Sequence, residues 1–515
     1  MKIWMAAREY SGIAEAGGVK NVVRSLSESL IKLGHEVLCF IPFYGCAEIE
    51  CLSHFSRAES SATILCAEKK ISVDFSSGIL CGVKIILVGA ECFSEKRDVY
   101  TYCAADSQKF PGKKIGEGYA DNHLMNTVFQ KAILAFGEEL CGESDSPDVI
   151  HCHDACVAAL PSIIKNFRSK NFSATKFVVS VHNAGPYYHH EFESISEAKL
   201  YTGLPEKILE RATNSSRVEP YLLASESAIL STVSPWYADE LLDANNDSTD
   251  GLSQIFAERK TRIAGITNGF DSARYNPEDT SLSTLPFAFS PEKLDLEGKW
   301  KTREFFLKNI YSEFSKENRC KKNSLERSGF LDGEGKIYFS YHGRLVRQKG
   351  ILVLLEAARE VLRKNKDARF IINGQGEESL REMCRSFAQE HRGRVVFFYG
   401  YEKSSSRLFT ASADFAVLPS EFEPCGTEDF IAQTFATIPV AHATGGLKKI
   451  IDGKTGFLYE PNDAQNLAQT LLRLAQERLA QPEKFHAIIQ EASRYVRTRY
   501  SWNSVAQEYL RLYAE

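Results

Sequence analysis

The sequence predicts two doubly wound α/β domains, Rossmann-like, with a cleft between them. Short apolar runs alternate with stretches of helical spacing along most of the 515 residues, a pattern typical of βαβ units. Polar and glycine residues follow directly after several of these runs, at the edge where open α/β sheets bind ligands. The length favours two domains, because one core seldom exceeds about 300 residues.

The first forty residues predict a strand, a turn, a helix and a second strand. An apolar run at residues 3–7 is followed by Gly17 and Gly18, and apolar residues at helical spacing then continue to a stop signal at Gly34. The same βαβ theme recurs further along this half of the chain. Strands are predicted at residues 3–7, 36–41, 148–150, 177–181, 228–233 and 263–267.

A different composition separates the two halves. Residues 272–332 contain Pro277, Pro286 and Pro291 and a charge-rich stretch, which predicts a connection with helices rather than sheet. A second α/β run then begins, and the tail from residue 464 has helical spacing. The strands of this second α/β run are predicted at residues 336–341, 369–373, 395–399, 414–418 and 439–441. The predicted divisions are 1–275, 276–335 for the connector, 336–490 and 491–515.

Composition excludes several classes of protein. The 62 Lys and Arg residues against 67 Asp and Glu residues give a net charge of −5, so no global basic field exists to hold a nucleic acid. We find no apolar stretch of the ~20 residues that a membrane span needs, and the first residues do not resemble a signal peptide. The 13 scattered cysteines are typical of reduced thiols in a cytosolic protein. We therefore predict a cytoplasmic protein, and we predict nothing about its oligomeric state.

Two clusters in the first half attract interest. Gly17 and Gly18 lie between a strand and a helix, where free N–H groups suit a phosphate, although a pair of glycines is a weak signal and a simple tight turn also explains it. The run His151-Cys152-His153-Asp154 superficially resembles a metal cluster. Zinc sites usually need four ligands at suitable spacing, and no second cluster is evident. We therefore predict no metal and interpret this run, like His182-Asn183, as a strand end carrying polar groups.

The second half holds a sharper signal. Arg344, Arg347 and Lys349 lie within six positions at a strand-to-helix junction, which suits a diphosphate or forms a solvated basic turn. Pro424 and Gly426 predict a turn among acidic residues after the strand at 414–418. The other candidates at strand ends are Tyr401, as an aromatic face for stacking, and Thr444-Gly445-Gly446, as a second anion-binding turn.

Together these motifs resemble the bacterial glycogen synthases and plant starch synthases, which are retaining glucosyltransferases of the two-Rossmann-domain (GT-B) type. The resemblance runs essentially from end to end, and the tail around Tyr500-Ser501-Trp502 is similar to the family's closing helix, which crosses back onto the N-terminal domain. The resemblance rests on Ala16-Gly17-Gly18-Val19, His151-x-His153-Asp154, Val181-His182-Asn183, Thr232-Val233-Ser234-Pro235, Asn268-Gly269-x-Asp271, Gly343-Arg344-Leu345, Gln348-Lys349-Gly350, Glu423-Pro424-Cys425-Gly426 and Thr444-Gly445-Gly446-Leu447.

The resemblance implies a role for each matching position. Arg344 and Lys349 would bind the donor diphosphate, and Glu423 would lie at the sugar near the reacting centre. His182 would lie beside the anomeric carbon. Tyr401 would stack on the nucleotide base, and the backbone of residues 444–446 would meet the distal phosphate. The other implied substrate-binding positions are Glu15, Gly17, Gly18, Asp154, Asn183, Asn268, Cys425 and Gly426.

The implied reaction is glucose transfer from ADP-glucose to the non-reducing end of an α-1,4-glucan, with retention of configuration and without a cofactor or metal. The first domain would lie on the acceptor side and the second would bind the nucleotide sugar. The sequence departs from the family pattern at three positions. The family usually has Lys at the position of Glu15, Trp at that of Ala155 and a basic residue at that of Ala443. These departures leave two alternatives open: a GT-B transferase with another donor such as UDP-glucose, or a glucan-binding regulatory protein with weakened activity.

Overall fold

The structure, a computed structural model, describes residues 1–106, 109–140, 142, 145–309 and 325–515. The chain divides into two units, of which one comprises Met1–Gly269 with Trp502–Glu515 and the other Phe270–Ser501. Each unit is built on an α/β sheet, which confirms the predicted fold class. The second unit begins and ends outside the predicted range of 336–490.

The sheet of the first unit contains nine strands among the described residues, in the order β11-β10-β7-β6-β1-β2-β5-β4-β3. Neighbouring strands are parallel except in the pairs β5–β4 and β4–β3. These antiparallel strands extend the sheet in a way that the sequence did not predict. The strands are β1 (Lys2–Ala6), β2 (Glu36–Pro42), β3 (Ser53–Cys66), β4 (Lys69–Leu80), β5 (Val83–Gly89), β6 (Val149–His153), β7 (Lys176–Val181), β8 (Thr213–Asn214), β9 (Arg217–Val218), β10 (Ile229–Thr232) and β11 (Ile263–Gly265), with β8 and β9 forming a separate hairpin.

Helices connect these strands. The first helix buries Val22, Val23, Leu26 and Leu30, which repeat at the three- and four-residue spacing that places side chains on one helical face. The helices are α1 (Val19–Lys32), α2 (Glu91–Ser94), α3 (Asn122–Ala135), α4 (Leu160–Phe167), α5 (Ile195–Thr202), α6 (Glu206–Glu210), α7 (Pro220–Ser225), α8 (Pro235–Leu241) and α9 (Leu252–Glu258).

The second unit has a seven-stranded sheet among the described residues, in the order β12-β15-β14-β13-β16-β17-β18. Only β12 runs antiparallel to its neighbour. Its presence corrects the prediction that residues 272–332 contain no sheet, while the connector residues 310–324 lie outside the described residues. The strands are β12 (Glu326–Leu331), β13 (Ile337–Leu345), β14 (Ala368–Gly376), β15 (Arg394–Tyr399), β16 (Phe415–Leu418), β17 (Ile438–His442) and β18 (Phe457–Tyr459).

The described part of the predicted connector packs onto this second sheet's helices. The ammonium group of Lys299 is buried and donates hydrogen bonds to the carbonyl oxygens of Ala411 at 2.9 Å and Phe435 at 3.0 Å. These hydrogen bonds join the segment around Lys299 to the second unit. Its helices are α10 (Thr280–Ser283), α11 (Glu297–Asn309), α12 (Ile351–Lys364), α13 (Glu378–Glu390), α14 (Lys403–Ser412), α15 (Glu428–Thr434), α16 (Ala464–Ala480) and α17 (Pro482–Arg499).

The last helix, α18 (Trp502–Ala514), belongs to the first unit. The Tyr513 hydroxyl lies 2.8 Å from Nδ1 of His151 on β6. The predicted boundary at 491 is wrong by about ten residues, because α17 packs within the second unit and the returning segment starts only at Trp502. Across the described ranges, no helix combines the length and apolar character that crossing a membrane requires.

Candidate active site

In the first unit, the strand order reverses beside β1, where β1 has β2 on one side and β6 on the other. The carboxyl ends of β1 and β6 therefore flank a topological switch point, the usual ligand position of such sheets. Glu9 lies three residues after β1, and Asp154 directly follows β6. The sequence predicted Asp154 as a site residue but not Glu9, although Glu9 lies within three residues of a strand end.

Glu9 organises the glycine turn that follows β1. Its buried carboxylate accepts hydrogen bonds from the backbone N–H groups of Ala16 at 3.0 Å and Gly17 at 2.6 Å. Burial raises the pKa of Glu9, opposed by these two hydrogen bonds. A Cβ atom at residue 17 would lie 2.9 Å from a Glu9 oxygen, so a larger residue there would displace this carboxylate. The Gly17 N–H, predicted to bind phosphate, thus already donates to a protein carboxylate. At Gly18, by contrast, no atom lies within 4 Å of the position that a Cβ atom would take.

Glu15 is held by its own loop. Its carboxylate accepts a hydrogen bond from the Gly12 N–H at 2.6 Å and pairs with the Lys20 ammonium at 3.3 Å. Desolvation works against the charged form, but the Gly12 hydrogen bond and Lys20 outweigh it and lower the pKa of Glu15. Glu15 therefore stays ionised, with its charge balanced by a neighbouring cation.

Asp154 and His182 are joined at the ends of adjacent strands β6 and β7. The Asp154 carboxylate accepts hydrogen bonds from the His182 backbone N–H at 2.8 Å and the Tyr221 hydroxyl at 3.2 Å. Asp154 itself has a positive φ of 69°, an uncommon conformation for a non-glycine residue that often marks functional sites. Burial raises the pKa of this carboxyl, while His182 and the hydrogen bonds lower it.

Two buried imidazole rings, those of His153 and His182, contact each other. His153 is next to Asp154 in the chain, and His182 is joined to Asp154 through its backbone hydrogen bond. The His182 Nε2 atom lies 2.9 Å from the His153 Nδ1 atom. Burial lowers the pKa values of both rings, that of His153 most strongly, so both are neutral near pH 7. A neutral His182 can accept or donate a hydrogen bond to a sugar hydroxyl.

Two asparagines complete the candidate residues of this unit. The Asn183 side chain accepts a hydrogen bond from the Gly185 N–H at 2.8 Å, so it stabilises the loop after β7. The Asn268 Oδ1 atom is buried and finds no hydrogen-bond partner among the described residues. A buried acceptor of this kind is costly unless a ligand or water satisfies it.

In the second unit, the strand order reverses between β13 and β16. Lys349 follows β13, Glu423 follows β16, and the two side chains form a close ion pair, which Ser420 supports with a 3.2 Å hydrogen bond to Glu423. Desolvation opposes the charged carboxylate, but Lys349 outweighs it and lowers the pKa of Glu423. Arg344, at the end of β13, is exposed. The structure thus pairs Lys349 with Glu423, and the roles predicted for Arg344, Lys349 and Glu423 stay predictions.

The loops that carry this pair are packed tightly. Gly350 has a positive φ of 67°, and a Cβ atom there would lie 1.7 Å from the Pro419 carbonyl oxygen. The Gln348 side chain donates a 3.0 Å hydrogen bond to the Phe422 carbonyl oxygen. Only glycine therefore allows the loop after β13 to approach the loop after β16.

A buried lysine joins the two turns at residues 423–426 and 444–446. Lys449 donates hydrogen bonds to the carbonyl oxygens of Cys425 at 2.5 Å and Gly446 at 3.1 Å, and it pairs with Asp429 at 2.9 Å. The sequence did not predict the pair of Lys449 and Asp429. The Gly446 N–H donates to the Glu423 carbonyl oxygen at 2.8 Å. This N–H is therefore occupied by a protein carbonyl, while the phosphate contact predicted for the backbone of residues 444–446 stays a prediction.

The remaining candidates of the second unit lie nearby in the chain. Tyr401 follows β15, is 55% exposed and has its ring centroid 6.1 Å from that of His342. Thr444 donates a hydrogen bond to the Glu421 carbonyl oxygen at 3.3 Å. The side chain of Cys425 is buried, and Gly426 has a positive φ of 76°.

One group in the described ranges has a spacing that could hold a metal: His189, Glu191 and Glu219. His189 already uses both ring nitrogens, since Nδ1 lies 2.7 Å from Glu219 and Nε2 lies 3.0 Å from the Ala184 carbonyl oxygen. A metal would have to displace the Glu219 contact from Nδ1. The cluster therefore acts as a hydrogen-bonded support for the loop after β7.

Comparison with known proteins agrees with this arrangement. Residues 2–258 match the family described as "Starch synthase catalytic domain", and residues 324–494 match "Glycosyl transferases group 1". Glycogen synthases of Thermodesulfovibrio yellowstonii and Aliivibrio fischeri are 27% and 26% identical, over all of this chain and 97% and 98% of their own lengths. The catalytic domain of starch synthase IV from Arabidopsis thaliana, solved with ADP and acarbose, aligns with a TM-score of 0.80 at 23% identity, covering all of this chain and 98% of that one.

Two α/β units with charged residues at their switch points define a glycosyltransferase of the GT-B class. The two family matches together span most of the described chain. The chain belongs to the glycogen synthase and starch synthase family.

Proposed function

We propose that this glycosyltransferase moves glucose from ADP-glucose to the non-reducing end of an α-1,4-glucan with retention of configuration. The observation that carries the proposal is the Lys349–Glu423 pair at the ligand-binding edge of the second sheet, with Lys349 in the loop that follows the strand carrying Arg344. Full-length relatives named glycogen synthase support the glucan acceptor. The starch synthase solved with ADP supports an adenine nucleotide donor.

The charges of the second unit suit the donor half of this reaction. Breaking the bond between glucose and the diphosphate develops negative charge on the leaving group, which Arg344 and Lys349 would stabilise. The lowered pKa of Glu423 keeps this carboxylate ionised, so it can stabilise positive charge on the sugar ring. Tyr401 would stack on the adenine. No cofactor or metal has a role in this mechanism, and the reaction would take place in the cytoplasm.

The first unit would bind the acceptor glucan and the sugar. Asp154 fixes the backbone of His182 through the 2.8 Å hydrogen bond, and the neutral His182 ring would contact a sugar hydroxyl near the anomeric carbon. The unsatisfied Oδ1 atom of Asn268 would accept a hydrogen bond from another hydroxyl. Glu15 and the glycine turn would lie on the donor-phosphate side.

The test is nucleotide release from ADP-glucose and from UDP-glucose, each with and without glycogen. We expect glycogen-dependent release of ADP and the addition of α-1,4-linked glucose, which proton NMR of the product identifies by its α-anomeric signal. Faster turnover with UDP-glucose would replace the proposed donor. Binding of glycogen without release of either nucleotide would favour a glucan-binding regulatory protein.

A further inference from the structure

The loop at residues 183–190, between β7 and α5, carries an aromatic ring at its tip. The Tyr188 N–H donates a 2.9 Å hydrogen bond to the Gly185 carbonyl oxygen, which closes a turn with Pro186 and Tyr187 at its centre. Proline restricts this turn conformation in advance. The Tyr187 side chain is 94% exposed, so the turn presents a large apolar face to solvent.

The start of this loop is fixed to the core of the first unit. The Tyr221 hydroxyl, which also contacts Asp154, lies 3.2 Å from the Asn183 carbonyl oxygen. The Ala184 N–H donates a 2.9 Å hydrogen bond to the hydroxyl of Tyr237. Both tyrosines are fully buried, so the loop leaves β7 in a defined direction.

The end of the loop is fixed equally firmly. His189 is buried, pairs with Glu219 at 2.7 Å and contacts the Ala184 carbonyl oxygen at 3.0 Å, which ties the end of the loop to its beginning. The next ring, His190, lies 2.6 Å from the Asn122 side chain. Buried pairs and networks of this kind hold a loop in one conformation. Tyr187 is therefore an exposed ring on a rigid support.

We propose that Tyr187 is a stacking platform for a glucose unit of the acceptor glucan, at a distance from the reacting end. The C–H groups on a pyranose face pack against an aromatic ring, and the tyrosine hydroxyl can hydrogen-bond the sugar edge. Tyrosine has few rotatable bonds, so binding through it loses little conformational entropy. A glucan is long enough to contact the loop tip while its end is near His182, which begins the same loop. This inference rests on the proposed function.

The test measures glucan binding separately from transfer. Native electrophoresis in gels containing glycogen, without donor, gives the glycogen affinity of the wild type, Tyr187→Ala and Tyr187→Trp. Loss of one stacking contact should weaken glycogen binding about five- to tenfold in Tyr187→Ala, while Tyr187→Trp retains it. The matched control is Phe167→Ala, which removes another exposed ring of the same unit and should leave the affinity unchanged.

Kinetics then separate the possible failures. In Tyr187→Ala, the KM for glycogen should rise by the same factor, with kcat and the KM for ADP-glucose unchanged. Unaltered glycogen affinity, or an equal loss in Phe167→Ala, would overturn the platform. A rise confined to the KM for the donor would also overturn it, by assigning the ring to the nucleotide. If the wild type binds glycogen through Tyr187 but transfers no glucose, the proposed function fails and the platform stands.

Discussion

The three predicted catalytic residues of the second unit have different surroundings. Lys349 and Glu423 form an ion pair, whereas Arg344 is exposed. We expect replacement of each by alanine to lower kcat/KM for ADP-glucose by about two to four orders of magnitude, because each removes charge that stabilises the transition state. Initial rates of ADP release at several donor concentrations measure this effect.

The controls for these three variants are Arg363→Ala and Lys364→Ala. Both residues lie on the exposed face of α12 and pair with Glu360, so their loss removes equivalent charges outside the site. Surface pairs of this kind contribute little to stability, and wild-type rates are expected. A folded Arg344→Ala or Lys349→Ala protein with near-wild-type kcat/KM would refute the assigned role.

Glu15 tests whether a carboxylate in the donor loop repels the diphosphate. Because Lys20 balances its charge at 3.3 Å, we expect Glu15→Gln to change the KM for ADP-glucose by less than about threefold, which corresponds to roughly 0.6 kcal/mol. Glu15→Lys should instead raise this KM, since it removes the acceptor for the Gly12 N–H and places two cations together. A tenfold lower KM in either variant would show that the wild-type carboxylate opposes donor binding.

At the scale of elements, the Lys449–Asp429 pair holds the turn after β16 against the turn after β17. Removing Lys449 alone leaves a buried carboxylate without its partner, so Lys449→Ala should lower the free energy of unfolding by about 3–5 kcal/mol. The double variant Lys449→Met with Asp429→Asn should lose less, because it leaves no buried charge. Chemical unfolding of the single and double variants measures both values. Equal losses would show that the ion pair is not the source of stability.

Most parallel strands of both sheets could be predicted because buried parallel strands are continuous apolar runs, although β5 and β18 were not predicted. The antiparallel extension β3–β5 could not, since much of β3 is exposed and polar. Pairings such as Glu9 with Gly17, or Lys449 with Asp429, depend on which loops meet in three dimensions. The proximity of Lys349 to Glu423 could be predicted, because both residues follow strands whose carboxyl ends lie at the same edge of the sheet.

At the scale of the whole molecule, buried histidines are expected to make the first unit sensitive to acid. Burial lowers the pKa of His151 to about 3 and that of His153 well below its usual range, whereas both titrate near 6.5 when unfolded. Their stabilising contribution is complete above pH 6.5 and is lost as the pH falls toward the folded values. At pH 5 this costs about 2 kcal/mol for His151 alone.

Thermal unfolding at pH 7 and pH 5 measures this loss, with His151→Asn as the comparison. Asparagine stays neutral, so the variant should lose less stability than the wild type on acidification, even if it is less stable at pH 7. A wild type and variant that respond equally to pH would contradict the assignment to His151.

The returning helix α18 offers a second test at this scale. Tyr513→Phe removes the hydroxyl that contacts His151 at 2.8 Å and should cost about 1–2 kcal/mol of unfolding free energy. Tyr513→Ala also leaves a cavity and should cost about 3–5 kcal/mol. Thermal unfolding of both variants gives the comparison. Wild-type stability in Tyr513→Ala would show that α18 does not stabilise the first unit.

The position of α18 in the chain also has a consequence for protein synthesis. Residues 1–269 emerge from the ribosome well before Trp502, since the whole second unit is translated in between. At about 5–20 residues per second, this delay lasts roughly 10 to 50 seconds. During this time the nascent first unit lacks the helix that buries Tyr509 and Tyr513, and its uncovered apolar surface is a natural target for chaperones. The first unit can therefore complete its fold only after the whole second unit has been synthesised.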